Sequence, residues 1–233
     1  MKRICMGGHW EVSPLDARRK NHVTHQARLF SKKPLLSAAM QCPYCRAPLT
    51  ETSKECPQCQ ISVKSAAALL GPMPRYSKGI NDRQNTLANN EQKKIQTALA
   101  DLTRRFPQIE MHILIQTFNN QYPLATHLFW VFNEGEFCSA DRKGGKNHSI
   151  LLGLDTKHGR IGLIPGYGLE PFLPTKALDH ILEKVHPLLA EAEYGKAILA
   201  VIASLDELLS GICESIEENL GIQLATDSKT TEY

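Results

Sequence analysis

Two closely spaced pairs of cysteines constrain the fold of this chain more than any other feature. Each pair has the form Cys-Pro-x-Cys, and the ten residues 46–55 separate the pairs. Two residues between a pair of thiols allow both to face one metal ion, and two such pairs supply the four thiolates of a structural zinc site. The pattern predicts a zinc ribbon over residues 40–61. Its predicted ligands are Cys42, Cys45, Cys56 and Cys59.

Two disulfides or a redox-active Cys-x-x-Cys are the alternatives to this zinc site. Neither fits a repeated pair that follows no recognisable secretion signal. A ribbon this short buries too little apolar surface to fold alone, so we expect the metal to supply most of its folding free energy. Glycine is common directly after the second cysteine of such a knuckle. Arg46 and Gln60 hold those places, which predicts some strain or a different turn.

The charge of the chain is divided unevenly along its length. Residues 1–80 contain 13 Lys and Arg against 4 Asp and Glu, whereas residues 81–233 contain 14 against 20, within a net charge of +3. A basic N-terminal region raises the alternative of nucleic-acid binding through residues 1–80. The same charge distribution equally suits electrostatic attraction between the basic N-terminal and acidic C-terminal parts of the chain. Seven cysteines, three of them outside the two pairs, favour a reducing compartment. With no apolar stretch long enough to span a bilayer, we expect a cytoplasmic protein.

The chain divides by composition into a small module, a spacer and one larger domain. Residues 1–39 are basic and lack a sustained hydrophobic period, which predicts a disordered extension. A second hypothesis is that translation of the native protein begins at Met40, so that these residues lie upstream of its start. Residues 62–79 predict a Pro/Gly linker. Residues 80–212 predict the main domain and residues 213–233 a polar tail, and we expect residues 80–233 to fold without the ribbon.

Hydrophobic periodicity in the main domain predicts an α/β sandwich, with helices packed on a central sheet of about four strands. In the strand predicted at 109–116, His112 falls among the outward positions and is expected at the surface. Asn89 with Gln92 is expected to cap the first helix. The predicted elements are a helix at 90–105, the strand at 109–116, a helix at 122–132, a hairpin at 149–164 and helices at 175–189 and 194–209.

Three segments of this domain carry a resemblance to a known family. They are Ile80-Asn81-Asp82 at the entry, residues 147–152 before a buried strand, and residues 160–170 with Gly166-Tyr167-Gly168. In these segments residues 80–209 resemble the TPM family, the α/β domain of a thylakoid-lumen protein linked to photosystem II repair and of many bacterial envelope proteins. Many members carry a signal or a membrane span, which this sequence lacks. The glycines also suit a chain leaving a sheet, where positive φ or close approach is required.

The resemblance implies a second site, because some TPM members have been proposed to be acid phosphatases that bind a divalent cation. It points to Asp82, Asn147 and Glu170 as candidate ligands, with Ca²⁺ as the implied ion. Lys146 places a positive charge beside Asn147, which disfavours Ca²⁺ because this ion takes several carboxylate and carbonyl oxygens. No nucleophile paired with a base stands out in the sequence.

We therefore expect a non-catalytic protein in which a zinc ribbon and a TPM-like domain form a protein-interaction or regulatory module. The expected partner is another protein. The first alternative is a TPM-like, metal-dependent acid phosphatase, and the second is nucleic-acid binding through the basic N-terminal region.

Overall fold

The computed structural model describes residues 10–12, 40–50, 52–72, 75–136 and 145–220. Within these residues, five strands form the central sheet. The strands in the described residues are β1 (Trp10–Val12), β2 (Met40–Gln41), β3 (Pro48–Leu49), β4 (Ile80–Asp82), β5 (Glu110–Ile115), β6 (Ser149–Asp155) and β7 (Arg160–Pro165). The order across the central sheet is β1-β7-β6-β5-β4. The pairs β4–β5 and β5–β6 are parallel, and β6–β7 and β7–β1 are antiparallel. A separate two-stranded ladder joins β2 to β3.

The predicted α/β architecture is confirmed, with helices on both faces of the sheet. The four strands β4 to β7 match the predicted number, and the strand that hydrophobic periodicity did not locate is β4. The helices are α1 (Val63–Leu70), α2 (Asn89–Arg105), α3 (Leu124–Glu134), α4 (Thr175–Ala190) and α5 (Tyr194–Leu220), and a 3-10 turn occupies Gly145–His148.

The three helices α2, α4 and α5 cover the first face of the sheet. Their apolar stripes meet the inward side chains of β5, β6 and β7 in one large cluster, which we call the first core. Helix α2 begins with a cap made by its own first turn, because Glu91 Oε2 accepts a hydrogen bond from Ala88 N at 2.9 Å. The predicted partner, Gln92, does not form this cap, since the helix begins one residue earlier than expected.

The helix α3 lies on the second face and is buried along nearly its whole length. A helix at a protein surface buries one stripe, yet every residue from Leu124 to Phe132 is buried. Leu128 faces the sheet, where a Cβ at Gly153 would come within 2.2 Å of its side chain. Thr126 and Trp130 lie on the opposite side of α3, by the helical period, and are 0% and 6% exposed. A further layer must therefore cover α3.

That further layer is made by residues 42–61, which contain the four cysteines, together with α1. Ala47, Leu49 and Ile61 share one buried cluster with α3 and with Leu114 and Leu151 of the sheet. We call this cluster the second core. Within it, Thr126 Oγ1 of α3 donates a buried hydrogen bond to Pro43 O at 3.1 Å. The ribbon segment and the domain share a hydrophobic core, and folding of the domain without the ribbon stays a prediction.

The segment 62–79 is not the extended linker that its composition predicted. Ser62 begins a capped helix, since its Oγ accepts from Ser65 N at 3.2 Å while Ser65 Oγ accepts from Ser62 N at 2.7 Å. The alanines of α1 give it a good helix propensity and a flat side, and Ala66 is fully buried against α3. The chain leaves the helix at Gly71, whose φ of 85° few other residues adopt.

The prediction that His112 lies at the surface is wrong. Its side chain is only 2% exposed, because the second face of β5 is covered as fully as the first. Its Nδ1 accepts a hydrogen bond from Gly79 N at 3.3 Å. Burial therefore lowers the pKa of His112 to about 4, although the nearby Glu110 acts in the opposite direction.

The predictions for the two ends of the chain fall mostly outside the described residues. Of residues 1–39, the structure describes Trp10–Val12, which pair with Ile161–Leu163 as the edge strand β1 and are not a disordered segment. The tail predicted at 213–233 begins inside α5, which continues to Leu220 because apolar residues recur past the predicted end. None of the described helices combines the length and the apolar character needed to cross a bilayer.

Candidate metal centre

Each cysteine pair lies in a tight knuckle, and the two knuckles have matching backbone hydrogen bonds. Arg46 N donates to Cys42 O at 3.0 Å and Cys42 N donates to Ala47 O at 2.8 Å. In the second knuckle, Gln60 N and Cys56 N make the equivalent bonds to Cys56 O and Ile61 O, both at 2.9 Å. The sequence Cys-Pro-x-Cys therefore folds twice into the same local structure.

The residues after the second cysteine of each knuckle adopt the left-handed conformation. Arg46 has a φ of 61° and Gln60 a φ of 58°. Glycine takes this conformation at little cost, and other residues do so less readily. The sequence predicted either some strain in the usual knuckle turn or a turn of another type. The structure has the glycine-type turn, so both residues hold an unfavoured backbone conformation.

The four sulfur atoms converge on one point. All four Sγ atoms lie within 4.8 Å of one another, and the nearest pairs are Cys42–Cys59 at 3.5 Å and Cys45–Cys56 at 3.6 Å. Thiolates bound at about 2.3 Å to a tetrahedral zinc lie about 3.8 Å apart, so these separations suit one tetrahedral ion. They are much longer than the roughly 2.05 Å of a disulfide bond. The arrangement brings all four predicted ligands together.

The surroundings of the sulfur atoms supply donors to a thiolate. Tyr44 N donates to Cys42 Sγ and Gln58 N donates to Cys56 Sγ, each at 3.4 Å. Burial raises the pKa of Cys42 and of Cys59. At Cys56 burial acts in the same direction, but amide donors, including Gln58 N, outweigh it and lower the pKa to about 7. A metal ion binding here would displace the protons that remain on the other thiols.

The other candidate ligands do not form one site. Asp82 pairs with Ile115 of β5, and Ile115 pairs with Leu154 near the C-terminal end of β6. Asn147, in contrast, precedes the N-terminal end of β6. About five residues of strand separate these levels, a distance of roughly 16 Å. Asn147 O does accept from Gly168 N at 2.9 Å, which places Asn147 beside the segment that contains Glu170. Asp82 is therefore excluded from any cation site shared with these two residues.

The carboxylate of Asp82 has a clear role in the backbone. Its Oδ1 accepts from Gln84 N at 3.2 Å and its Oδ2 accepts from Leu87 N at 2.8 Å. Both oxygens thus bind the turn that leads from β4 into α2. This explains the Asn-Asp entry motif by local structure.

The segment Gly166-Tyr167-Gly168 closes the end of the sheet. Gly166 N donates to Ser149 O at 2.7 Å, which extends the β6–β7 ladder by one bond. A Cβ at Gly168 would come within 2.5 Å of the His148 ring, so this glycine permits close approach. Neither Gly166 nor Gly168 has a positive φ. Of the two roles predicted for these glycines, positive φ and close approach, the structure therefore shows close approach at Gly168. Tyr167 packs against the second core.

Sequence reasoning missed a buried ion pair at the hairpin between β6 and β7. Asp155 is fully buried, and its Oδ2 accepts from Arg160 Nη2 at 2.6 Å and from His158 Nδ1 at 2.8 Å. Its Oδ1 accepts from His158 N at 3.3 Å. Opposite charges at facing positions of a hairpin were the available signal. The contacts fix the hairpin, since Asp155 and Arg160 are held to each other.

The fold and the cysteine cluster define an α/β sandwich protein with a ribbon-like four-cysteine centre. A family model for the TPM domain matches residues 80–208, more than half of the chain. The chain belongs to the TPM domain family.

Two solved structures resemble part of the chain. The solution NMR structure of the N-terminal domain of a protein from P. gingivalis has 17% identity and a TM-score of 0.46, covering 61% of this chain and 96% of that domain. The N-terminal domain of the cg2496 protein from Corynebacterium glutamicum has 16% identity and a TM-score of 0.43, covering 59% and 84%. No curated protein matches the chain.

Proposed function

We propose that this protein binds one structural zinc ion through Cys42, Cys45, Cys56 and Cys59 and acts as a non-catalytic protein-interaction or regulatory module. The observation that carries the zinc assignment is the set of four Sγ atoms within 4.8 Å of one another. Four thiolates at tetrahedral separation suit zinc, which needs no redox partner, and four protein ligands leave no open position for a substrate. The ion is therefore structural.

Elemental analysis of protein purified without added metal tests the zinc site. We expect close to one zinc per chain, and much less in Cys56→Ser, because three thiolates bind the ion less tightly. Cys213→Ser is the matched control, since Cys213 is an exposed thiol outside the cluster, and its zinc content should equal that of the parent. Protein without zinc that contains two disulfides by mass spectrometry would contradict the assignment.

The absence of catalysis is supported by how the side chains of the family motif are used. Both oxygens of Asp82 accept backbone hydrogen bonds, and this residue lies at the opposite end of the sheet from Asn147. An ion that activates water for phosphoryl transfer needs several oxygen ligands and open positions. The three residues singled out by the family resemblance do not meet that requirement together.

The main alternative is a TPM-like metal-dependent acid phosphatase, which the family membership favours. Phosphomonoester assays across about pH 4–9, with Ca²⁺, Mg²⁺ or Mn²⁺ or without metal, should stay at background. Saturable turnover at about 1 per second, lost in Asn147→Ala, would establish the enzyme instead. Asn147 is exposed, so this variant should fold normally and any loss would report on chemistry.

The expected partner is another protein, met in a reducing cytoplasm where the thiolates persist. Cross-linking and affinity capture with the intact chain, beside Cys56→Ser as bait, test this. Partners that depend on the metal centre should be captured by the parent only. Binding to duplex nucleic acid that falls steeply with salt would favour the alternative of a nucleic-acid binder.

A further inference from the structure

The two hydrophobic cores differ in which parts of the chain they contain. The first core joins α2, α4 and α5 to one face of the sheet, and among the described residues it includes none from 40–61. The second core joins α3 to the other face and includes Cys42 and Cys56, two of the proposed metal ligands. Loss of the metal centre therefore acts directly on the second core alone.

Among the described residues, the covering layer over α3 is held by the proposed metal, its contact with the second core and the charge of Arg46 near Asp179 of α4. Among the described residues of 40–61, regular structure is limited to the ladder of β2 and β3, each of two residues. Two-stranded ladders of this length are not stable by themselves in water. The apolar contribution of this segment to the second core is small, namely Ala47, Leu49 and Ile61 besides the cysteines.

The side of α3 beneath this layer carries a large aromatic residue, Trp130. Trp130 is 6% exposed and lies on the side of the helix opposite Leu128, which packs on the sheet at Gly153. It shares the second core with the ribbon and α1, and the ribbon contacts this side of α3 at Thr126, whose Oγ1 donates to Pro43 O. Without that cover, the large aromatic side chain of Trp130 would face solvent, and exposed aromatic surface of this kind is typical of a binding surface.

We propose that the ribbon and α1 form a metal-held cover over α3, and that release of the metal uncovers this apolar helix while the first core stays folded. The proposal rests on the metal site proposed above. The protein then has two folded states that differ in one layer, and metal occupancy sets the balance between them. Opening of part of a structure, with the rest retained, is common where one cooperative unit has few contacts of its own.

Hydrogen exchange of the full chain, with and without a zinc chelator, tests the proposal. We expect chelation to speed amide exchange at least about tenfold in residues 124–134 and to leave residues 194–209 of α5 protected. Trp10→Phe makes Trp130 the only tryptophan, and its emission should shift to the red on chelation while the variant begins to bind a hydrophobic dye. Re-addition of zinc should reverse both changes.

The Cys56→Ser variant tests the same step without a chelator, and Cys213→Ser is its control. Cys56→Ser should show fast exchange in 124–134 and normal protection in 194–209, whereas Cys213→Ser should match the parent. Unchanged protection of 124–134 in protein that has lost its zinc would overturn the proposal, as would loss of protection in α5. A protein that never contains metal would instead refute the metal site itself.

Discussion

Gly153 sets the distance between α3 and the sheet. It lies in β6, and a Cβ built at this position would come within 2.2 Å of Leu128 Cδ2 and 2.9 Å of its Cδ1. The residue therefore lets a large side chain of α3 pack directly on the strand. The neighbouring Leu152 and Leu154 face the first core instead, so the two sides of β6 obey different packing requirements.

Gly153→Ala should lower the free energy of unfolding by about 1–3 kcal/mol, because Leu128 must leave its rotamer or α3 must move outward. Gly211→Ala is the matched control. Gly211 lies in α5, and a Cβ added there would meet nothing within 4 Å beyond its own helix, so alanine should be neutral or stabilise by up to about 1 kcal/mol. Denaturant unfolding of the three proteins measures both. Equal stability of Gly153→Ala and parent would show that α3 does not pack as described.

His112 makes stability depend on pH in a defined window. Burial lowers its pKa to about 4 from an ordinary 6.5, so between these values the unfolded chain binds a proton that the folded protein does not. The free energy of unfolding should therefore fall as pH decreases from about 6.5 to about 4, by up to about 3 kcal/mol, and be unaffected at higher pH. His112→Gln removes the titration and should flatten the profile.

The difference between His112→Gln and the parent isolates this residue, since loss of metal in acid is common to both. Asp179 works in the opposite direction, because burial first and then Glu183 raise its pKa to about 6, against the lowering effect of Arg46. Its contribution is lost as pH rises from about 4 to about 6. A profile for His112→Gln parallel to that of the parent across the window of His112 would show that His112 titrates normally.

At the scale of elements, α1 shows where composition misleads. Its alanines followed by Gly71 and Pro72 favoured an extended spacer, yet Ser62 and Ser65 cap the segment and Ala66 packs on α3. A short helix of this kind is marginal by itself in water. Its formation depends on the flat surface that α3 offers, and a sequence read in one dimension does not contain that surface. The strand β1 is a similar case, because its pairing partner β7 lies far away in the chain.

At the scale of the whole molecule, the shared second core changes what a shortened protein should do. Composition alone predicts that a fragment beginning at Ile80 folds as well as the intact chain. The structure instead predicts that it folds around the first core but unfolds at a lower temperature and binds a hydrophobic dye, because Trp130 loses its cover. Thermal unfolding and dye binding of the fragment and the full chain measure this. Equal unfolding temperatures without dye binding would restore the picture of independent units.

The sequence by itself determined the four-cysteine cluster, the α/β class and the resemblance of residues 80–209 to the TPM family. These follow from local information: the Cys-Pro-x-Cys spacing fixes which thiols meet, and hydrophobic periodicity fixes helices such as α2 and α5 and the hairpin of β6 and β7. The tertiary structure alone decided that His112 is buried, that Asp82 lies away from Asn147, and that the ribbon covers α3. Each of these three features depends on which segments pack against each face of the sheet. The segments that pack together are far apart in the chain, so no local sequence pattern encodes their contact.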